Sequence, residues 1–356
     1  MNSFYPKTDV SVIVPVYNGG DKFRWCLTGL TNCSPGPKEV IVVVDGATDG
    51  SVQIAEEFRV NVLQNDHPTG PAIARNMGAR KANGDILFFV DADVVVSQDA
   101  IDRITHVFKN DPELAALFGS YDDDPFETNF LSQFKNLFHH YHHQTAGEDA
   151  FTFWGACGAI RRDLFLTLNG FDERYKRPSV EDIEFGYRLK KSCYKVKLLK
   201  DLQVKHLKRW GILSLLKSDI LDRALPWTEL IWVKRSLNND LNLKHSNRLS
   251  IVLIYGLLFS LLTGIWFPSA FVLSAIFIFI LLSVNVKLYK FFYKKRGIWF
   301  SVKSVLWHWA YYLYCGLGFG MGSILYFIKR FGWMKIKGNG GHKSQADGKQ
   351  KKEHDG

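Results

Sequence analysis

Hydrophobic residues follow two different patterns along the chain, and the pattern changes near residue 248. Before that point, short β-branched runs alternate with segments of helical spacing, which predicts buried parallel strands joined by helices. The predicted strands are residues 10–16, 40–44 and 86–90, and the predicted helices are residues 21–30, 51–58 and 72–81. This β–α–β–α–β order predicts a doubly wound α/β sheet, whose ligands bind at the carboxyl ends of the strands.

Beyond Arg248 the chain has the composition of membrane-spanning helices. No charged residue lies between Arg248 and Lys287, and Pro268 divides this stretch into two segments of about 18 residues each, near the shortest length that crosses a bilayer. A third uncharged run, residues 304–328, contains His308 and four alternating glycines. We expect this run to be a third span; the alternative is a segment that dips into the bilayer or lies along it.

These patterns divide the chain into four parts. Residues 1–235 form a predicted globular domain, 236–248 a linker, 249–328 a transmembrane region of two to three helices, and 329–356 a basic disordered tail. The amino terminus lacks the basic and apolar regions of a secretory signal, and the five cysteines are scattered. We therefore expect a cytoplasmic domain with reduced thiols.

The formal net charge of +10 is carried by the carboxyl end of the chain. Residues 287–356 contain 14 Lys and Arg against three Asp and Glu, which leaves residues 1–286 with a net charge of −1. Nucleic-acid binding needs clustered Lys and Arg on the folded domain, so we expect no nucleic-acid partner. Basic residues beside apolar helices instead predict a multi-pass protein of the cell (inner or plasma) membrane that contacts membrane lipids.

Polar residues follow each predicted strand at the edge of the sheet where a ligand would bind. They read PVYNGG at 15–20, DGATDGS at 45–51 and DAD at 91–93. Taken singly, several of them also suit turns or helix caps. Asp91 and Asp93 are harder to explain in that way, because two neighbouring carboxylates repel unless a cation is bound. A divalent cation that keeps some waters and bridges to a diphosphate fits this pair.

Four motifs in this order and spacing resemble the nucleotide-sugar-binding half of family 2 glycosyltransferases with the GT-A fold. They are SVIVPVYN from Ser11, VDGATDGS from Val44, GPAIARNMGA from Gly70 and GDILFFVDAD from Gly84. The resemblance covers roughly residues 9–210. It implies an α/β, Rossmann-like GT-A domain that binds a UDP- or GDP-linked sugar. The predicted C-terminal transmembrane helices lie outside the resemblance.

The resemblance also implies roles for individual residues on the donor side. It places the nucleobase at Pro15, Tyr17 and Asp45, the base or a phosphate at Arg75, and the ribose at Asp91. Asp93 would hold Mg²⁺ or Mn²⁺. The cation is needed because a nucleoside diphosphate leaves only when its developing negative charge is stabilised.

On the acceptor side, the resemblance implies roles for Trp154, Glu181 and Asp182. Small residues after Trp154 let a ligand approach the backbone, and Trp154 would stack on a sugar ring; the alternative is a buried strand with a tight turn. Glu181 and Asp182 open a predicted helix, where acids are ordinary partners of the helix dipole. In the family, an Asp in this position is the general base of an inverting transfer, so Asp182 is the predicted catalytic base and Glu181 supports it.

The segment His206-Leu207-Lys208-Arg209-Trp210 resembles the Gln-x-x-Arg-Trp motif of processive members of the family. There Arg binds the diphosphate and Trp stacks on the acceptor, which implies these roles for Arg209 and Trp210. His206 replaces Gln, and in related non-processive enzymes a His near this place contacts the metal or the pyrophosphate. Processivity therefore stays open. The alternative for residues 205–209 is a basic segment that docks on the membrane.

Two segments are predicted to be helices close to the membrane. Residues 210–232 have apolar side chains near helical spacing, which is typical of an interfacial helix. Residues 126–150 contain four histidines, at 139, 140, 142 and 143, and histidines that share a helix face suit a metal. We favour an amphipathic helix, because no acid or cysteine joins them at ligand spacing. Its predicted apolar side consists of Phe130, Phe134, Leu137, Phe138 and Tyr141.

These features favour a membrane-anchored, metal-dependent, inverting glycosyltransferase of cell envelope glycan biosynthesis. It would transfer a sugar to a lipid-linked or glycan acceptor at the cytoplasmic face. A polysaccharide synthase subunit is the second hypothesis, although three candidate spans are few for a polymer channel. A non-catalytic scaffold that binds sugar nucleotides is the third, and the presence of both Asp93 and Asp182 argues against it.

Overall fold

The computed structural model describes residues 9–235 and 244–331, together with the backbone of residues 332–340. The strands of the amino-terminal domain are β1 Val10–Val16, β2 Glu39–Asp45, β3 Asn61–Asn65, β4 Ile86–Val90, β5 Val94–Val96, β6 Leu114–Tyr121, β7 Cys157–Arg161 and β8 Lys195–His206. They form one sheet in the order β3-β2-β1-β4-β7-β6-β8-β5.

Helices cover both faces of this sheet and continue into the carboxyl-terminal part. In the domain they are α1 Gly20–Thr31, α2 Ser51–Glu56, α3 Pro71–Lys81, α4 Ala100–Asn110, α5 Phe130–Thr145, α6 Arg162–Thr167 and α7 Glu181–Lys191. Beyond it lie α8 Ile212–Lys217, a π-helical turn Ser218–Ala224, α9 Leu225–Lys234, α10 His245–Thr263, α11 Ala270–Val284 and α12 Val286–Gly340. Gly297, with φ at 81°, divides α12 into two helices.

The first half of the domain confirms the doubly wound arrangement. α1, α2 and α4 pack on one face of the sheet, and α3, α6 and α7 pack on the other. β1 is parallel to both β2 and β4, so the loops after these three strands meet at one edge. The sequence did not predict β3, because Asn61–Asn65 pairs with β2 at the rim of the sheet and is only partly buried.

The second half makes the sheet mixed rather than parallel. β7 runs antiparallel to both β4 and β6, and β8 is parallel to β6 but antiparallel to β5. The buried strand considered for the segment after Trp154 is therefore present as Cys157–Arg161. Its antiparallel direction brings the preceding loop to the carboxyl end of β4, where the Asp91 amide donates to the Ala156 carbonyl at 3.3 Å.

Helix α5 is the amphipathic helix predicted for the histidine-rich segment, and it joins the domain to the carboxyl-terminal helices. Phe134, Leu137 and Phe138 pack against an apolar cluster formed by Leu288, Tyr289 and Phe292. Ring nitrogens of His140 and His143 hydrogen-bond to backbone carbonyls of β6. Within residues 9–235 and 244–331, no group of three or more His, Cys, Asp or Glu is arranged to hold a metal.

The helices α10 and α11 form an apolar hairpin. Ser260 and Ser274 hydrogen-bond across it at 2.8 Å, and Gly264 lets the ring of Phe271 approach its backbone. Large apolar side chains remain exposed along its outer half, including Phe259, Trp266, Val272 and Phe279. By length and composition, His245–Thr263 and Val286–Phe331 are candidate membrane spans, and Ala270–Val284 is a shorter apolar helix.

The second part of α12, from residue 298 onward, lies beside the segment formed by α8, the π-helical turn and α9. Along this pair Tyr314 donates to Asp219 at 2.8 Å, Gly318 packs on Ala224, and Gly322 packs on Thr228. Asp219 also accepts from Lys135 of α5 at 2.6 Å and is 5% exposed. A buried ion pair therefore ties the domain, the interfacial segment and α12 together.

Two predictions fall partly outside the residues that the structure describes. These are the linker, over residues 236–243, and the basic disordered tail. The four domain boundaries stay predictions. The five cysteines all lie in described parts of the chain and are free thiols, as expected.

Candidate active site

The loops after β1 and β2 are joined by hydrogen bonds, and they form one wall of a cleft at the carboxyl edge of the sheet. The Thr48 amide donates to the Asn18 side chain at 2.8 Å, and the Gly20 amide donates to Asp49 at 2.9 Å. Asn18 and Gly20 both have positive φ values, which let the chain turn sharply out of β1. Tyr17 projects from this turn with 59% of its surface exposed.

Asp45 points into the protein rather than into the cleft. Its carboxylate is 5% exposed and accepts hydrogen bonds from the side chains of Asn65 and Thr69 and from the amides of Thr69 and Gly70. Burial alone would raise the pKa of Asp45, but these donors outweigh it and lower the pKa. The hydrogen-bonding capacity of Asp45 is therefore used by the loop at 65–70, and its contact with a nucleobase stays a prediction.

Arg75, on α3, joins the two halves of the cleft. One guanidinium nitrogen donates to Asp91 at 2.6 Å and another donates to Glu181 at 3.0 Å. Arg75 and Glu181 are both about 5% exposed, whereas the Asp91 side chain is 34% exposed. Burial opposes the charge of Arg75, but Asp91 and Glu181 outweigh it and raise its pKa, so the guanidinium stays charged. In the structure, Arg75 has two carboxylate partners. Its contact with a base or a phosphate stays a prediction.

Asp93 faces His206 across the β5–β8 pair. Val94 is in register with His206, and Asp93 Oδ2 lies 3.7 Å from His206 Nε2. Two ligands of one metal ion, each bound at about 2.1 Å, can adopt such a separation. Burial alone would raise the pKa of Asp93, but His206 and nearby lysines lower it, which keeps the carboxylate ionised.

The residues at this position fit a divalent cation that keeps part of its water shell. Asp93 and His206 supply one carboxylate and one imidazole, and Asp91 lies two residues away on the same turn. Two protein ligands leave coordination positions for diphosphate oxygens and water, as is usual for Mg²⁺ at phosphate sites.

Asp182 lies at the amino terminus of α7, close to the Arg75 bridge. Its carboxylate accepts from the Gly155 amide at 3.1 Å and from the Ile183 amide at 2.8 Å. Burial and the neighbouring charge of Glu181 raise the pKa of Asp182 to about 7. A carboxylate with this pKa is a far stronger proton acceptor than an ordinary surface Asp.

Glu181 and Asp182 are adjacent but have different environments. The Glu181 carboxylate is held by Arg75 and by the Ser179 amide at 2.8 Å. Asp182 has no ion pair among the described residues. The fixed negative charge of Glu181 thus raises the proton affinity of its neighbour, which agrees with a supporting position for Glu181.

The three aromatic and basic residues predicted for the acceptor side differ in exposure. Trp154 is half-buried and packs edge-on against Tyr121 at 4.7 Å. The Arg209 side chain is exposed and pairs with Glu127 at 3.1 Å. Trp210 is 5% exposed and packs with Leu215, so stacking on an acceptor would require this packing to open.

Two residues of the cleft were not identified from the sequence. Tyr121, at the end of β6, stacks on the His206 ring with a centroid separation of 4.3 Å. Arg223 lies on the π-helical turn, and its charge acts on the Asp182 carboxyl and lowers the pKa of that group. The apolar pattern of β6 ends at Tyr121 and could have predicted its place at the end of a strand. No local pattern distinguishes Arg223 from a solvated cation of an interfacial helix.

Comparisons with known proteins relate the amino-terminal domain to one family. Residues 11–168 match the sequence profile of the family described as glycosyl transferase family 2. The uncharacterized glycosyltransferase YibD of Escherichia coli is 41% identical over 88 residues, which are 24% of this chain and 26% of that protein. Glycosyltransferase AglE of Haloferax volcanii is 38% identical over 101 residues, which are 26% of this chain and 33% of that protein.

A solved structure extends the likeness of fold to most of the chain. The mannosyltransferase PcManGT from Pyrobaculum calidifontis, solved with GDP-Man and Mn²⁺, superposes with a TM-score of 0.53 and 15% identity. The match covers 91% of this chain and 88% of that chain, and at this identity it establishes the fold alone. The chain spans only about a quarter to two fifths of the length of the first curated relatives, with shares of 26%, 42% and 33%. Over residues 11–168, this chain therefore carries a GT-A domain of glycosyl transferase family 2.

Proposed function

We propose that the chain is an inverting, metal-dependent glycosyltransferase that moves a sugar from a nucleoside diphosphate to a hydroxyl group of a membrane-bound acceptor. The observation that carries this proposal is the position of Asp182 at the start of α7, where the Gly155 and Ile183 amides hold its carboxylate beside Glu181. Burial and the charge of Glu181 also raise its pKa to about 7, which suits a general base at neutral pH. A scaffold that only binds sugar nucleotides would not need a carboxyl group tuned in this way.

The donor would lie across the carboxyl ends of β1, β2 and β4. Tyr17 and Pro15 would border the base, and Asp91 would face the ribose while Arg75 holds it in place. Asp93 and His206 would hold Mg²⁺ or Mn²⁺, which supplies charge neutralisation for the leaving diphosphate. Both the UDP- and the GDP-linked classes of donor remain candidates.

On the other side of the cleft, Asp182 would take the proton of the acceptor hydroxyl as the oxygen attacks the sugar carbon. The sugar–phosphate bond breaks, and the nucleoside diphosphate leaves on the opposite side, which inverts the anomeric centre. The Gly155 and Ile183 amides hold the carboxylate in place. Arg209, exposed beside the cleft entrance, would contact the diphosphate.

The membrane would hold the acceptor near this base. The α10–α11 hairpin would insert, because its outer half exposes large apolar side chains. The basic residues that follow it lie against the domain, since Arg296 donates to Gln133 at 2.7 Å and Lys295 pairs with Asp123. Basic residues favour the cytoplasmic side of a membrane, so the domain would be cytoplasmic.

The packing of the helix after Gly297 favours a position along the membrane surface over the full crossing that its uncharged sequence suggests. Its partner is the segment 212–234, which carries charged residues along its length. Tyr314 contacts Asp219, and Lys329 lies 3.9 Å from Glu229. Placing both partners in hydrocarbon would bury these charges at high cost.

Labelling with a membrane-impermeant maleimide tests this topology in intact cells. We expect Trp266→Cys, in the hairpin turn, to react from outside, and Phe331→Cys to react only after permeabilisation. The exposed native Cys193 of the domain is an internal control for the cytoplasmic side. Reaction of Phe331→Cys from outside would show that the third helix crosses the bilayer.

The proposed reaction is tested by release of UDP or GDP from a panel of nucleotide sugars, with the full chain in membranes and with extracted polyprenyl lipids and glycerolipids as acceptors. We expect release that requires Mn²⁺ or Mg²⁺ and one lipid fraction, and that Asp93→Asn abolishes. Donor binding without turnover in any fraction would favour the scaffold. Long glycan products would favour the polysaccharide synthase.

A further inference from the structure

A cavity of about 440 Å³ lies between α9, α10 and the second part of α12. Its walls are mainly apolar and aromatic, and they include Trp227, Ile231 and Phe319, while Asn247 and Arg248 of α10 are polar residues in the lining. Its volume is within the range of sites that bind small molecules. Because α10 is a candidate membrane helix and forms one wall of the cavity, a hydrocarbon chain from the bilayer has the chemistry to fill it.

One end of the cavity lies next to the cation Arg223. Ala224 lines the cavity, and Arg223 precedes it on the π-helical turn. Arg223 is exposed, and it forms no ion pair with any carboxylate in the described parts of the chain. π-Helical turns often occur at functional sites.

The charge of Arg223 also reaches the reacting side of the cleft. Burial is the largest influence on the pKa of Asp182, and the charge of Arg223 acts on this carboxyl group as well. The same cation is therefore adjacent in sequence to a residue that lines the apolar cavity and close enough to act on the proposed general base.

We propose that this cavity binds the hydrocarbon chain of the acceptor lipid, and that Arg223 binds a phosphate group placed between that chain and the reacting hydroxyl. The inference rests on the proposed function and names the acceptor class. The acceptor is a lipid in which a phosphate joins the hydrocarbon chain to the head group that bears the hydroxyl. A phosphate oxygen is an unsuitable nucleophile here, because a phosphate is already ionised at neutral pH and needs no general base.

The order of groups follows from the order of residues. The chain would occupy the cavity from Ile231 toward Ala224, the phosphate would pair with Arg223, and the hydroxyl would face Asp182. A guanidinium is well suited to the phosphate because its planar donors match phosphate oxygens in pairs. The lipid phosphate would also offset the positive charge that Arg223 otherwise places near the base.

Photo-crosslinking tests the site without requiring turnover. The full chain in phosphatidylcholine nanodiscs is illuminated with diazirine-bearing phosphatidic acid or, as a probe without phosphate, diazirine-bearing diacylglycerol. We expect phosphatidic acid to label peptides that contain residues 224–231 and 251–255 about tenfold more strongly than diacylglycerol. This factor is the difference in affinity expected from one charge-assisted hydrogen bond to the phosphate.

Two variants and two matched controls separate the cavity from general lipid contact. Val252, at the cavity mouth, is 68% exposed, so Val252→Trp should block entry and reduce cavity labelling by both probes without unfolding the chain. Arg223→Gln should reduce labelling by phosphatidic acid to the level of diacylglycerol. Leu262→Trp, elsewhere on α10, and Lys217→Gln, on the same interfacial segment, should label like the parent.

The outcomes distinguish the site from the proposed reaction. Equal labelling by both probes in the parent would overturn the phosphate contact, and unchanged labelling in Val252→Trp would overturn the cavity. Transfer to a lipid fraction without selective labelling would overturn this inference and leave the transferase proposal standing. Selective labelling in a protein that transfers no sugar would support the lipid site while the transferase proposal fails.

Discussion

Replacement of Asp182 by Asn is expected to lower the rate of sugar transfer by about 10²- to 10⁴-fold, the usual contribution of a general base. The amide has nearly the shape of the carboxylate but cannot accept the hydroxyl proton. One of the two amide hydrogen bonds to residue 182 is weakened, because Asn offers a single acceptor oxygen. Turnover is measured with saturating donor and acceptor, and donor affinity should stay close to that of the parent.

The pH dependence of the same reaction should report the Asp182 carboxyl. The base is active when ionised, and burial together with Glu181 raises its pKa to about 7. The rate should therefore rise with pH, about tenfold per unit on the acid side, and become level above about pH 8. An Asp with an ordinary pKa would be ionised near neutral pH, so the rate would not change with pH there.

A surface variant provides the control for both measurements. Asp163→Asn makes the same chemical change at a side chain that is 98% exposed on α6, and it should alter neither rate nor pH profile. If Asp182→Asn transfers sugar at the parental rate, or shows the same acid limb, Asp182 is not the base. A large loss of donor affinity would instead indicate a role in assembling the donor site.

Replacement of Arg75 by Met is expected to have the largest effect on folding. Arg75 and Glu181 form a pair in which both side chains are about 5% exposed, and Arg75 also holds Asp91. Removing one partner of a buried ion pair leaves an uncompensated charge, which typically costs about 3–5 kcal/mol. Thermal unfolding of the purified chain should then occur about 10 °C lower, and donor binding should weaken as well.

Two further variants test whether the unpaired charge causes this loss of stability. One removes the charge of the partner, and the other breaks an ion pair on the surface. The double variant Arg75→Met with Glu181→Gln should recover part of the stability, because the unpaired carboxylate is gone. Arg24→Met breaks the exposed pair with Glu57 and should leave the unfolding temperature unchanged. Equal unfolding temperatures for the parent and Arg75→Met would show that the bridge does not hold the two halves of the cleft together.

The donor side was predictable because its signals are local. Strands β1, β2 and β4 have continuous apolar runs, and each is followed directly by the polar residues that enter the cleft. Parallel strands bring their carboxyl ends to one edge, so the convergence of these residues follows from the strand order. The pairing of Asp93 with His206 could not be predicted in this way, because 113 positions separate them and β5 is short.

The placement of the membrane-side helices could not be predicted from local signals. An uncharged run such as 304–328 shows that a helix is compatible with the bilayer. A helix that crosses the bilayer and one that lies along it can nevertheless have the same composition. The distinction rests on what packs beside it, and here a charged segment does so. The same holds for Trp210. Its motif predicts a side chain that stacks on the acceptor, but Leu215 and α5 bury it, and the motif does not specify these partners.

Local sequence patterns are enough to predict the α/β domain, its family, the polar residues at the strand ends and the presence of apolar helices. Each of these depends on periodicity or on motifs within a few residues of one another. Only the folded chain shows that Arg75 bridges Asp91 and Glu181 and that Asp45 turns inward. Burial and charge at these places come from segments far apart in the chain. The pKa of Asp182, for example, depends on its burial, on Glu181, and on Arg75 and Arg223, because electrostatic interactions act through space and strengthen where water is excluded.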